Sequence, residues 1–184
     1  MRLQYRFGTE NGFTLIELIV VLAVAAVLIG IAAPNLIDVV RNNRLSSQVN
    51  DLVTSLNLAR SEALTRGQMI TVCRSKNGGS CDADDGNWED GWLVFSDSDG
   101  NGVIDAGESI IRRYPPLSAG TTLRSGVNFA KYLTYLETGA SRGSTYIGSD
   151  SFRLCDFRGS AYAYEISVNA TGRVDTSRTT TSCP

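Results

Sequence analysis

A run of 21 residues, FTLIELIVVLAVAAVLIGIAA at positions 13–33, carries a single charge, Glu17. As a helix rising about 1.5 Å per residue it reaches about 31 Å, enough to cross a bilayer core. The rest of the 184 residues is polar, so the mean hydropathy of −0.06 averages two unlike parts. The pattern predicts a polar domain carried on one membrane helix. Twelve residues, MRLQYRFGTENG, precede the run. A secretory signal peptide puts small residues after its apolar core; here the small residue, Gly12, stands before it. Arg2 and Arg6 favour a cytoplasmic N-terminus, although Arg41 and Arg44 lie just beyond the run. All four cysteines follow the run, so that side is expected to be the oxidising one.

Composition narrows the function classes. The chain has no histidine, which excludes His-dependent triads, His-ligated zinc or haem, and imidazole switching. Its 17 Lys+Arg against 19 Asp+Glu, a net charge of −2, exclude a polybasic nucleic-acid binder. There is no P-loop and no histidine to activate a nucleophile, so the sequence reads as a non-enzyme. Trp88, Trp92, Tyr132, Tyr135, Tyr162 and Tyr164 read as core or interface residues.

Apolar periodicity continues past the run. Leu45, Val49, Leu52, Val53, Leu56, Ala59 and Ala63 recur at spacings of three and four, one face of a helix. Gly67 is placed as its C-cap. One helix is therefore expected over residues 13–66, its first part in lipid and its amphipathic part, 34–66, on a sheet, with a kink at Pro34. Beyond it, residues 69–73, 92–95, 109–114, 121–124, 128–136, 152–155 and 161–168 are short, β-branched or aromatic, and separated by Gly, Asn, Asp and Pro. The class predicted is α+β, with a β-rich domain over 67–184. Charge is uneven: residues 67–108 carry −7 and residues 109–184 carry +4. That asymmetry suits contacts between unlike subunits, but most of it reads as solvated surface with one acidic loop.

Glu17 requires a reason, because a carboxylate in hydrocarbon is costly. Near the interface it can snorkel to water. Cleavage after Gly12 would instead free an amine on Phe13 one helical turn away. The residues Gly12-Phe13-Thr14-Leu15-Ile16-Glu17 resemble the signal of type IV pilins and type II secretion pseudopilins. The resemblance implies a prepilin peptidase that removes the leader, residues 1–12, and methylates the Phe13 amine, and it implies pairing of Glu17 with that amine during assembly. GWLVFSDSDGNG before Glu108, the segment 152–156, Gly172-Arg173-Val174 and the run from Asn43 through Arg60-Ser61-Glu62-Ala63 are similar to the FimT/FimU minor pilins and the H-type pseudopilin. The fold implied is the type IV pilin fold, a long N-terminal helix packed on an antiparallel sheet domain. The location implied is the bacterial inner membrane, single-pass with a periplasmic domain, then a pilus or pseudopilus. The partners implied are membrane lipid before assembly, the inner-membrane assembly platform, and other minor and major pilins. The role implied is a low-abundance subunit that starts filaments and sits in a tip complex. No cofactor is required.

Three smaller readings accompany it. Asp97, Asp99, Asn101, Val103, Asp105 and Glu108 fit D-x-[DN]-x-[DN]-G followed by five residues and Glu, with oxygen ligands for calcium and Gly102 at the turn. The same residues make an Asx- and Gly-rich hairpin without metal, and their flanks read as strands. Cys73, Cys81, Cys155 and Cys183 allow three pairings and lack a C-x₂-C pair. Cys73–Cys81 would close a short loop, and Cys155–Cys183, the pilin-like arrangement, would pin the tail. DNA binding, known among FimT-like relatives with a C-terminal G-R-x-R, is not favoured: Val174 and Asp175 follow Arg173, and Arg178 is the nearest compensating cation.

Overall fold

The structure, a computed structural model, describes residues 12–82 and 86–183, and for residues 31–35 the backbone alone. The chain divides into two units, Met1–Arg41 and Asn42–Pro184. One helix, α1 (Leu15–Arg66), contributes to both. Pro34 does not end it; the kink expected there falls on residues whose side chains lie outside the described set.

In the first unit the helix is apolar and uncovered. Leu15, Ile16, Leu18, Val21, Leu22, Val27 and Leu28 are exposed, and Leu36, Ile37, Val39 and Val40 continue the pattern. Asp38 and Arg41 pair across one turn at 3.4 Å. A helix that is apolar on every side has no stable place alone in water. Among the described residues no helix is long and apolar enough to cross a membrane. Residues 31–33 of the apolar run are among those whose side chains are not described.

In the second unit the same helix has one buried face. Leu45, Val49, Leu52, Leu56, Ala59 and Ala63 are each at most 5% exposed, at the alternating spacing that keeps side chains on one side of a helix. Gly67 ends it in a left-handed conformation, φ 60°, and donates its N–H to the Ala63 carbonyl at 3.0 Å.

Among the described residues nine strands follow: β1 (Ile70–Arg74), β2 (Trp92–Ser96), β3 (Ile110–Tyr114), β4 (Thr121–Ser125), β5 (Tyr132–Tyr135), β6 (Ser141–Gly143), β7 (Asp150–Asp156), β8 (Tyr164–Val168) and β9 (Val174–Arg178). They form two antiparallel sheets, β3-β2-β1-β5-β6 and β4-β7-β8-β9. Trp92 and Val94 from the first sheet share one core with Leu123, Phe152, Leu154 and Ile166 from the second and with the buried face of α1. Trp92 donates its indole N–H to the buried Ser55 hydroxyl at 2.9 Å, tying sheet to helix.

Two expected strands change. The segment 128–136 is a strand only from Tyr132, because the Asn128 and Phe129 N–H groups turn to the Asp150 carboxylate, at 2.8 and 3.0 Å. The segment 161–168 opens on a 3-10 turn, Ser160–Tyr162, and becomes strand at Tyr164. Strands β6 and β9, SRG and VDTSR, carry no apolar alternation and went unread. The first is three residues long; the second is an edge strand exposed along most of its length.

Candidate functional site

The N-terminal segment is organised around Thr14 and Glu17. Thr14 lies just before the helix, and its N–H and hydroxyl both donate to Glu17 Oε2 at 3.0 Å. In return the Glu17 N–H donates to Thr14 Oγ1 at 3.3 Å. This is a capping box, which satisfies helix-start N–H groups that have no partner within the helix. Thr14's capping role is not among the sequence expectations, although T-x-x-E before an apolar run is its recognised signature. Glu17 Oε1 is left without a partner among the described residues. Gly12 and Phe13 precede the helix and are exposed; the leader residues before Gly12 lie outside the described set.

The acidic segment between β2 and β3 is a hairpin folded over the outer face of the first sheet. A small second core lies beneath it: Cys73, Leu93 and Phe95, with Ile104 from the hairpin and Tyr132 packed against them. This cover explains why β1 and β2 are buried on both faces. Gly102 sits at φ 77°, where a side chain would collide with the Tyr132 ring. Asp97 is the anchor and is fully buried. Its Oδ2 accepts the Thr71 hydroxyl at 2.6 Å and the Gly102 N–H at 3.0 Å, and its Oδ1 accepts the Asn101 N–H at 3.1 Å. Burial pushes its carboxyl up from the ordinary value and the Glu108 charge adds to this, while the bonds from Thr71 and Gly102 pull it back.

Of the six residues with calcium-ligand spacing, Asp97, Asp99 and Glu108 bring carboxylate oxygens within 4.8 Å of one another. Asn101 faces the wrong way for a ligand. Its amide nitrogen donates to Asp99 and Asp105, at 2.9 and 2.8 Å, and its oxygen accepts the Val103 N–H at 2.6 Å. Glu108 closes the hairpin base, taking the Ser98 and Asp105 N–H groups at 2.7 and 3.0 Å. The hairpin is thus held by its own hydrogen bonds.

The cysteines pair as Cys73–Cys81 and Cys155–Cys183. The first closes a loop beside the hairpin; the second ties the tail to β7. The two basic candidates are occupied: Arg173 pairs with Asp175 at 2.8 Å, and Arg178 lies 4.1 Å over the Tyr164 ring and donates to the Tyr162 carbonyl. Gly172 beside them is a packing residue. At φ 79° it lies so close to Gly139 that a methyl group would collide with the Gly139 carbonyl oxygen. Arg60 of α1 bonds the Gly139 and Thr171 carbonyls at 3.2 and 2.8 Å, joining the helix to turns from both sheets.

A long helix, apolar and exposed at its start and packed on two antiparallel sheets at its end, with a capped glutamate in its first turn, is the architecture of the type IV pilin fold. The chain belongs to the family of the Type II transport protein GspH, whose family model matches residues 48–172. The Prokaryotic N-terminal methylation motif matches residues 9–33. Among solved structures the fold is similar to the type IV minor pilin FimU of Pseudomonas aeruginosa strain PAO1. In one crystal form the identity is 20%, with 78% of this chain and 95% of that one covered and a TM-score of 0.57. In a second form the values are 18%, 75%, 96% and 0.54. A likeness to the minor pseudopilin EpsH from the Type 2 Secretion System of Vibrio cholerae covers 73% of this chain and 97% of that one at 11% identity, with a TM-score of 0.49. No curated protein matches the sequence significantly. Pilins and pseudopilins are structural proteins, generally without cofactors, and as a member of the GspH family this chain is not an enzyme.

Proposed function

We propose that this chain is a minor pilin that primes type IV pilus assembly and enters the tip complex. Residues 1–12 are a leader removed between Gly12 and Phe13, and the new Phe13 amine is methylated. The apolar residues 13–33 hold the subunit in the inner membrane, with the domain over 67–184 in the periplasm, until the helix passes into the filament. Two disulfides fit that compartment. The observation that carries the reading is the first half of α1, whose exposed apolar side chains need lipid or neighbouring helices to cover them. In assembly Glu17 serves the amine of a subunit through the oxygen that Thr14 does not hold. The partners are other minor and major pilins, the prepilin peptidase and the assembly platform.

The match to the Type II transport protein GspH favours a second reading, an H-type subunit of a secretion pseudopilus. DNA uptake is disfavoured by the engagement of Arg173 and Arg178 within the fold. Calcium would sit between Asp97, Asp99 and Glu108 and would draw Asn101 off Val103. Deleting the gene and scoring twitching, secretion and transformation separately divides the readings. Loss of twitching alone supports the pilus, and loss of secretion alone moves the protein to the pseudopilus. A strain normal in all three contradicts both.

A further inference from the structure

Arg124 on β4 and Arg153 on β7 are direct cross-strand partners. The neighbouring pair, Leu123 and Leu154, is buried in the core, so the two arginines project from the opposite, outer face of the second sheet. Like charges set opposite each other on antiparallel strands repel, and the local carboxylates relieve this only in part. Glu89 pairs with Arg124 through its Oε2. Glu165, across from Arg153 on β8, accepts the Ser151 hydroxyl at 3.0 Å. Asp150 is engaged by the backbone N–H groups of Asn128, Phe129 and Ser151. Arg153 donates to the Ser182 carbonyl at 3.0 Å, and its Nε is buried with no hydrogen-bond partner among the described residues.

Between the two arginines lies a cavity of about 380 Å³. Serines 125, 151 and 182 complete its lining with Gly126 and Cys183; no carboxylate is among these lining residues. Its wall exists because of the Cys155–Cys183 disulfide, which holds the tail beside Arg153. A guanidinium presents a rigid fork of donors suited to an oxyanion, and an oxyanion seated here would satisfy the Arg153 Nε and turn the opposed charges from a cost into a clamp. We propose that this cavity binds a single oxyanion group, a phosphate or a carboxylate.

The test is thermal unfolding of the full chain in nonionic detergent, followed by the fluorescence of the two buried tryptophans, Trp88 and Trp92. Sodium phosphate and sodium glutamate are compared with sodium chloride at constant ionic strength. A saturable rise in Tm of a few degrees in either oxyanion is expected, and the stronger of the two identifies the source. Phosphate also stabilises proteins by exclusion from their surface, so Arg153→Gln is the deciding variant. It should lose the oxyanion shift and melt no lower than the parent in chloride, because the opposed charge is gone. Arg112→Gln, on exposed β3, should keep the shift. Should Arg153→Gln fail to fold, Arg153→Lys carries the test: it keeps the charge, loses the fork, and should need several-fold more oxyanion for the same shift. Equal Tm in all three salts, or a shift undiminished in the Arg153 variants, overturns the proposal.

Discussion

The two parts of α1 share a backbone conformation and little else. Among the described residues before Arg41 the apolar side chains are exposed around the helix; from Leu45 onward they are gathered on one face and buried. The first part has no core of its own chain to pack on among the described residues, and an apolar helix of this kind needs a covering surface to be stable in water. The second part is held by its own chain, through six core positions, the Trp92–Ser55 bond and the Arg60 contacts. Substitutions in the first should change assembly and leave the fold intact, and substitutions in the second should do the reverse.

The sharpest break in that comparison is a matched pair of leucines. Leu56→Ala empties a fully buried site and should destabilise the second unit by about 2–5 kcal/mol. Leu22→Ala, on the exposed part, should leave the tryptophan melting curve unmoved. A large drop from Leu22→Ala would mean that the first part is packed on the domain after all. Next come the disulfides. Replacing Cys155 and Cys183 by Ser frees a tail spanned by 28 residues and should cost about 3–4 kcal/mol in the loop-entropy model. The same change at Cys73 and Cys81, spanning 8 residues, should cost about 2.5 kcal/mol. Denaturant unfolding that ranks the two in the opposite order would show that the hairpin cover, and not loop length, sets the effect.

Gly172→Ala tests the contact between turns of the two sheets. The left-handed backbone and the collision with the Gly139 carbonyl together predict a loss of about 1–3 kcal/mol, read as a lower denaturation midpoint. A neutral substitution would remove Gly172 from the packing account. The smallest effect expected is a pH dependence at Asp97. Its carboxyl is raised above the ordinary 3.8 by burial. A carboxyl raised in the folded state contributes most below its unfolded value and loses that contribution as pH rises through the folded one. The stability of the parent relative to Asp97→Asn should therefore fall as pH climbs from just below 3.8 toward neutrality. A relative stability that grows over that window would show the hydrogen bonds outweighing burial.

How much of this could be read in the sequence depended on how strongly each residue's surroundings mark its pattern. The buried face of α1 was legible residue by residue, because helix geometry converts burial directly into spacing. Gly67 was legible as a cap for the same local reason. Strands β1, β2 and β7 showed as apolar runs, while β6 and β9 did not, since a short or edge strand needs no apolar alternation. The capping box at Thr14 and Glu17 is a local pattern that the sequence carries but that stayed hidden, because snorkelling to water or pairing with an amine one turn away already accounts for a carboxylate at that position. The motif at 97–108 was visible as acidic spacing. That Asp97 would turn inward to Thr71 was not, because Thr71 lies 26 residues earlier on a strand whose outer face is buried only by the hairpin itself. Arg124 and Arg153 looked unrelated in sequence; strand register alone makes them neighbours.

The central claim is that the first half of α1 works as a processed assembly segment. It is tested most directly by intact-mass and N-terminal peptide mass spectrometry of the protein recovered from cell envelopes and from sheared filaments. The account predicts a chain beginning at Phe13 with a methylated amine in both fractions, and with Glu17→Ala the same processed chain in envelopes but none in filaments. A chain that keeps residues 1–12, or a Glu17→Ala variant found in filaments at the parent's level, would contradict it.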